Sequence, residues 1–355
     1  MGHLISRGLQ RRLKQTAIAG GLDAALLVKS LGAMKDAAGL GAIFTLHHVR
    51  PHTPLPFEPN RHLEISPEFL DRTIREMKAE GRTFLTLEAL PMRIAEARGR
   101  QQRFAAFTLD DGNRNNLEHA LPVFERHGVP FTIFVAKGLS ERTHTMWWET
   151  LAVMLGTHQS LVFDFGQGKE RLDLADADAK QLAFDRFAAF VHQHDEMQAV
   201  SAIDALAEAH DIQPLEIVRS LVMDFRELRS LATHPLVSLG AHTVSHRALA
   251  RLSTAEVAFE IRESAGYVAA LTGVLPTTIA YPYGTREAVS LREGQIAASL
   301  GFEVGVTTRP GTVMETAAGS MTLLPRISLN GFYQKARYVE ALASGIPMRM
   351  LGKTG

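Results

Sequence analysis

Short apolar runs alternate with longer segments of helical period along most of this chain. Ile43–His47, Thr83–Leu87, Phe104–Leu109, Phe131–Ala136, Leu236–Ala241, Thr278–Tyr283, Phe302–Thr307 and Thr322–Leu329 read as strands. Their length and β-branched or aromatic content suit buried strands rather than helices. Pro67–Glu80, Asn115–His127, Thr254–Leu271 and Glu287–Leu300 place apolar residues at helical spacing, with Ser66 and Ser253 as caps, and a closing helix falls around Tyr333–Ala343. Strand–helix alternation implies a parallel sheet, and about eight strands suit a closed β/α barrel. An open doubly wound sheet is the alternative, weakened because no glycine-rich nucleotide fingerprint follows a strand.

The alternation breaks between Gly138 and Thr233, a stretch rich in Ala, Leu, Phe and Gln without a clear strand. Helical patterns around Ala179–His192 and Met197–His210 dominate it. Because the strand pattern resumes afterwards, we expect a helical insertion at about 139–233 in a barrel spanning 41–345, preceded by a helical segment over 1–40. Trp147 and Trp148, the chain's two tryptophans, open the insertion. Helix packing is their expected duty and sugar stacking the sharper alternative.

Charge and cysteine content narrow the chemistry. Lysines plus arginines number 38, as do aspartates plus glutamates, so no net field draws the chain to nucleic acid. There are no cysteines, so any metal must be held by His, Asp or Glu. Met1–Lys14 carries Arg7, Arg11, Arg12 and Lys14 without a following apolar core or small-residue cleavage site. Ala17–Met34 is interrupted by Asp23 and Lys29 and falls short of a spanning helix. The expectation is a cytoplasmic protein without a transmembrane segment. The basic start leaves peripheral membrane contact open.

Phe104–Leu109 ends in Asp110, Asp111 and Gly112. Side chains alternate faces along a strand, so two adjacent carboxylates at its end serve different purposes, one for a cation and one for a proton. His242-Thr-Val-Ser-His246 follows another strand; if it turns helically, both imidazoles share a face and a cation. With 15 histidines in the chain that spacing alone says little, and His48/His52 repeats it. Position says more: in a β/α barrel all strand C-termini gather at one rim. Two histidines and a carboxylate there make a three-ligand site with open positions, suited to zinc or to non-haem iron. Tyr281-Pro282-Tyr283-Gly284 ends the next strand, where proline and glycine can aim backbone amides at one point, as an oxyanion donor requires.

In this order, Thr108-Leu109-Asp110-Asp111-Gly112, His242-Thr-Val-Ser-His246 and Tyr281-Pro282-Tyr283-Gly284 resemble the motifs of the polysaccharide deacetylase family, which shares the nodulation-protein-B homology domain. His47 resembles a first-strand histidine of bacterial members. The resemblance covers roughly residues 43–330 less the insertion. It implies a distorted (β/α) barrel of about seven to eight parallel strands that removes acetyl groups from sugars with a divalent cation, zinc first, with cobalt, nickel or manganese as alternatives. By position, Asp111, His242 and His246 would be the metal ligands, Asp110 the general base, and Tyr283, following Pro282, the oxyanion donor. The implied partner is an acetylated glycan; oligomeric state is not legible.

Two departures stand out. The family's third motif begins with arginine where this chain has Ala280, and its late Leu-x-x-His is replaced by Leu324-Pro-Arg326-Ile-Ser-Leu329. Arg326 is therefore the candidate for the lost positive charge beside Asp110. An arginine makes no useful proton donor near neutral pH, so His47, His48, a metal-held water or Asp110 itself must serve, with His47 ranked first. The alternatives to a chitooligosaccharide-like deacetylase are a C–N hydrolase of a small cyclic amide or ureide, and a carbohydrate-binding protein that has lost turnover.

Overall fold

The computed structural model describes residues 7–96 and 102–352, of which 7–12 by backbone alone. Eight parallel strands form its main sheet: β1 (Gly41–Leu46), β2 (Thr83–Phe84), β3 (Phe104–Leu109), β4 (Phe131–Val135), β5 (Val237–Ala241), β6 (Thr278–Ala280), β7 (Val304–Val306) and β8 (Ile327–Ser328). The order is β7-β6-β5-β4-β3-β1-β8, with β2 also paired to β3. The closing segment bridges the two ends. Leu324 pairs with Val306 of β7, while Ile327 and Ser328 pair with Phe44 and Thr45 of β1. The sheet therefore curls back on itself as the expected distorted barrel.

Both faces of β1 and β3 are buried, as a helix-covered parallel sheet requires. Ala42, Phe44 and Leu46 of β1 and Ala105, Phe107 and Leu109 of β3 pack outward against the helices. Ile43, Phe104 and Ala106 pack inward with Phe134, Val304 and Val306. By the same alternation Thr108, and after it Asp110, face the barrel interior at its C-terminal mouth. The surrounding helices start on local signals. Ser66 accepts from the Phe69 amide ahead of Pro67–Ala79, and Ser253 forms a capping box with Glu256 ahead of Thr254–Thr272.

Several elements are shorter than their apolar runs. The third-motif strand stops at Ala280, because Pro282 lacks an N–H and Tyr283 takes a positive φ. Thr322–Leu329 keeps only Ile327–Ser328 as strand, with Met321–Leu323 a 3₁₀ turn and Pro325 between them. Asn115–His127 opens with a π-helical turn at Asn116–Ala120 before the α-helix Leu121–His127.

The insertion also corrects an expectation. It contains an antiparallel hairpin, Ser160–Asp164 with Lys169–Asp173, turned through Gly166 and Gly168, both at positive φ. Its strands bury few side chains, Leu161, Phe163 and Leu172, so their period was hidden among polar neighbours. The two expected helices are Ala177–Gln193 and Glu196–Glu208, capped by Asp176 and Asp195, and Trp147–Thr157 precedes them. Trp147, Trp148, Leu151, Phe184 and Phe187 of the insertion form a core that Phe57, from the loop after β1, joins. The N-terminal helix Arg7–Ser30 packs on Ala336–Ala343 through Leu22 and Ala25. Arg7, Arg11 and Arg12 have side chains outside the described residues. Among the described residues no helix is long and apolar enough to cross a membrane.

Between Trp147–Thr157 and the loop after β1 lies a cavity of about 920 Å³ lined by Arg50, Phe57, Glu58, Glu149, Val153 and Lys180 among others. Burial pushes the Glu149 carboxyl up from 4.5 to about 7, although Arg50 and the Asn60 amide favour its charged form. An acid whose pKa is raised by folding holds its proton more tightly when folded. Stability from this group is thus full below pH 4.5 and falls as pH rises through 7. Glu149→Gln, which keeps an acceptor for Asn60, should flatten that slope. In urea unfolding the variant should match wild type near pH 4.5 and exceed it by about 1–3 kcal/mol at pH 8. Parallel pH curves would contradict the assignment.

Candidate active site

The residues singled out by motif meet at the C-terminal mouth of the barrel. Asp111, His242 and His246 each offer one donor atom, all within 4.8 Å of one another. Asp111 Oδ1 lies 3.4 Å from His242 Nε2 and 3.3 Å from His246 Nε2. The histidines are not related by a helical turn, as their spacing suggested. They sit in a loop in which Thr243 and His246 both take positive φ, and the His246 amide donates to Thr243 Oγ1 at 3.1 Å. Asp111 also has a left-handed φ, of 74°, which turns its carboxylate away from that of Asp110. Such backbone is sparsely populated for these residue types and is held by the surrounding structure.

This arrangement fits a divalent cation. Asp111 Oδ1 is buried yet accepts no hydrogen bond, a costly state for a carboxylate oxygen without a cation. A tetrahedral zinc site with bonds of about 2.1 Å separates its donors by roughly 3.4 Å, matching both separations. His242 Nδ1 lies 2.7 Å from the Ala280 carbonyl, so Nδ1 carries the hydrogen and Nε2 is left free as the atom a cation would take. Burial would raise the Asp111 carboxyl, but the two imidazoles beside it, His242 and His246, outweigh burial and hold the group well below the carboxylate range. It stays anionic.

Asp110 faces the other way, toward Arg326. The guanidinium spans the carboxylate, Nη1 to Oδ1 and Nη2 to Oδ2, each at 2.7 Å. It also donates from Nη1 to Thr108 Oγ1 at 2.9 Å and from Nε to the Thr307 carbonyl at 2.8 Å. Both members of the pair are buried. Burial pushes the Asp110 pKa up and the Arg326 charge more than offsets it, so the carboxyl is held below its ordinary value. The chain thus supplies from its barrel-closing segment a positive charge that Ala280 lacks.

His47 Nε2 lies 3.9 Å from Asp110 Oδ2, with its side chain one-fifth exposed. Burial lowers its pKa, against the pull of Asp111 and Asp110. His48, the other candidate acid, is directed elsewhere. Asn115 accepts from the Val49 amide through Oδ1 and donates through Nδ2 to His48 Nδ1 at 2.9 Å, leaving His48 Nε2 3.9 Å from Glu149. Burial depresses the His48 pKa to about 3, so the ring stays neutral and is no general acid near neutral pH.

Tyr283 stands over His246, ring centroids 5.3 Å apart. Its backbone takes a φ of 60°, and the Gly284 amide closes a three-residue turn on the Pro282 carbonyl at 2.6 Å. Tyr283 N–H makes no hydrogen bond among the described residues. Trp148 packs its ring 4.9 Å from His246, and Trp147 donates from Nε1 to the Tyr283 hydroxyl at 3.0 Å. Both indoles are buried, consistent with the packing duty expected of them. Beside His246 these residues, with Asp204 and Arg247, line a cavity of about 220 Å³. Sequence reasoning missed Glu196, which reaches Tyr283 from the insertion; an acidic residue in a helix's first turn carries no signal of such a contact.

Comparison with known proteins agrees with this geometry. A family model described as polysaccharide deacetylase matches residues 97–162 and 189–305. No curated protein matches the chain by sequence. The fold resembles a Streptococcus pyogenes deacetylase, PplD, solved with acetate: 19% identity, TM-score 0.54, over 82% of this chain and 92% of that one. It also resembles IcaB from Ammonifex degensii, with 15% identity, TM-score 0.53, 86% of this chain and 98% of that one. A polysaccharide deacetylase from Bacillus cereus matches with 14% identity, TM-score 0.52, 85% of this chain and 68% of that one. With more than half its length matched by the family model and the motif residues gathered at one barrel mouth, the chain belongs to the polysaccharide deacetylase family and is a hydrolase of carbon–nitrogen bonds.

Proposed function

We propose that this protein is a divalent-cation-dependent deacetylase of an N-acetylated oligosaccharide or polysaccharide, of the chitooligosaccharide kind. The observation that carries the reading is the divided aspartate pair, with Asp111 turned to two imidazoles and Asp110 to a guanidinium. Asp111, His242 and His246 would hold the cation, which when bound polarises the acetyl carbonyl and acidifies a water. Zinc suits the nitrogen and oxygen donors and their spacing.

The protein's own groups do the rest. Asp110, kept ionised by Arg326, accepts the proton of the attacking water. The Tyr283 amide donates to the oxyanion that develops on the acetyl oxygen. His47, close to Asp110 and partly open to solvent, carries the proton to the departing sugar amine. Arg326 reaches the reaction only through Asp110, since its guanidinium is fully buried behind that carboxylate.

Acetate release from N-acetylated chitooligosaccharides should require added zinc or cobalt and stop with chelator. Asp111→Ala should lose bound metal and activity together. Asp110→Asn should bind metal as wild type does and lose about 10²–10⁴-fold in kcat. Retained metal in the first variant, or retained turnover in the second, would reverse those roles. His47→Gln should slow amide hydrolysis far more than hydrolysis of p-nitrophenyl acetate, whose leaving group needs no proton. Equal losses on both substrates would remove His47 from the proton path.

A further inference from the structure

The insertion reaches the reaction centre through one carboxylate. Glu196, in the first turn of Glu196–Glu208, is 7% exposed and spends both oxygens on two loops of the barrel mouth. Oε1 accepts from the Tyr283 hydroxyl at 2.7 Å, and Oε2 accepts from the Ala248 amide at 3.0 Å. Arg251 Nη1 stands 3.9 Å from Oε2 and balances the charge. The Tyr283 hydroxyl accepts from Trp147 Nε1, so its single hydrogen is committed to Glu196. Ala248 lies two residues beyond His246.

Both loops held by Glu196 contain residues at positive φ: Thr243 and His246 in one, Tyr283 in the other. Left free, residues of these types relax toward negative φ. Relaxation at Tyr283 would rotate the peptide carrying its N–H, and relaxation at His246 would move an imidazole. A carboxylate that pins both from the insertion opposes both movements.

We infer that Glu196 is a positioning residue: with Trp147 it braces the Tyr283 turn and the His246 loop in their strained conformations, making the insertion part of the catalytic apparatus. The inference rests on the deacetylase reading for its effect on turnover, but the brace itself is a property of the fold. Its chemistry is specific to a carboxylate. Tyr283 O–H and Ala248 N–H are both donors, so the amide of a glutamine must turn its NH₂ toward one of them.

Zinc-loaded Glu196→Gln and Tyr283→Phe are compared with wild type on N-acetylated chitooligosaccharides. In zinc-saturated enzyme each should lower kcat about ten- to hundredfold with KM unchanged, because a misaimed donor acts in the transition state. The double variant should be no slower than the slower single, since both cut one link. Amide hydrogen exchange should rise in Glu196→Gln over 246–250 and 281–285 and stay at wild-type rates over β1 and β3. Unchanged kcat in an active enzyme, additive losses, or unchanged exchange in both segments would overturn the inference. A wild-type protein that releases no acetate would instead overturn the deacetylase reading, with exchange still deciding the brace. Tyr283→Phe, a smaller change, keeps the question answerable if Glu196→Gln fails to fold.

Discussion

A buried guanidinium gripping a buried carboxylate, Arg326 on Asp110, is the interaction on which the barrel mouth depends. Desolvating two charges costs several kcal/mol per ion, and only excellent geometry with further hydrogen bonds offsets it. Here the geometry is bidentate, and Thr108 and the Thr307 carbonyl take two more of the arginine's donors. Thr108 and Asp110 lie on β3 and at its end and Thr307 at the exit of β7, while Arg326 stands in the closing segment between β7 and β1. The same contacts therefore close the barrel and set the charge state of Asp110. Neither function can be adjusted without the other.

Around that fixed pair the site is built from strained backbone. Asp111, Thr243, His246 and Tyr283 are four of the seven non-glycine residues at positive φ among the described residues. Each is costly, of the order of 1–3 kcal/mol, and persists only where neighbours over-determine it. The barrel supplies part of that support through His242 on the Ala280 carbonyl. The rest comes from the insertion, whose aromatic core anchors Trp147, Trp148 and the helix bearing Glu196. A rigid frame on both sides keeps three donors converged on one point.

How much of this was legible in the sequence follows from the range of the forces involved. Strands and their order of appearance were visible because both-face burial leaves continuous apolar runs, as in Phe104–Leu109. Asp110, Asp111, His242 and His246 were visible because strand ends share a rim, so motif plus position sufficed. Arg326 stood out as a charge inside a strand pattern opposite a motif that lacked one. The helical spacing of His242 and His246 misled, since a loop with two left-handed residues brings them together instead. The hairpin of the insertion was hidden by its thin burial. Glu196 and the Asn115–His48 contact were illegible because they join segments far apart in the chain through single hydrogen bonds, which leave no period and no composition.

The central claim is that the relocated arginine, rather than one preceding the third motif, keeps Asp110 ionised. It is tested most directly by the pH dependence of kcat/KM for zinc-loaded Arg326→Met. Without the guanidinium, burial outweighs the remaining imidazoles and raises the Asp110 pKa, so that carboxyl stays protonated to higher pH. The account predicts that the acidic limb of the profile moves to higher pH while bound zinc is unchanged. An acidic limb at its wild-type position, with zinc bound and turnover retained, would contradict it.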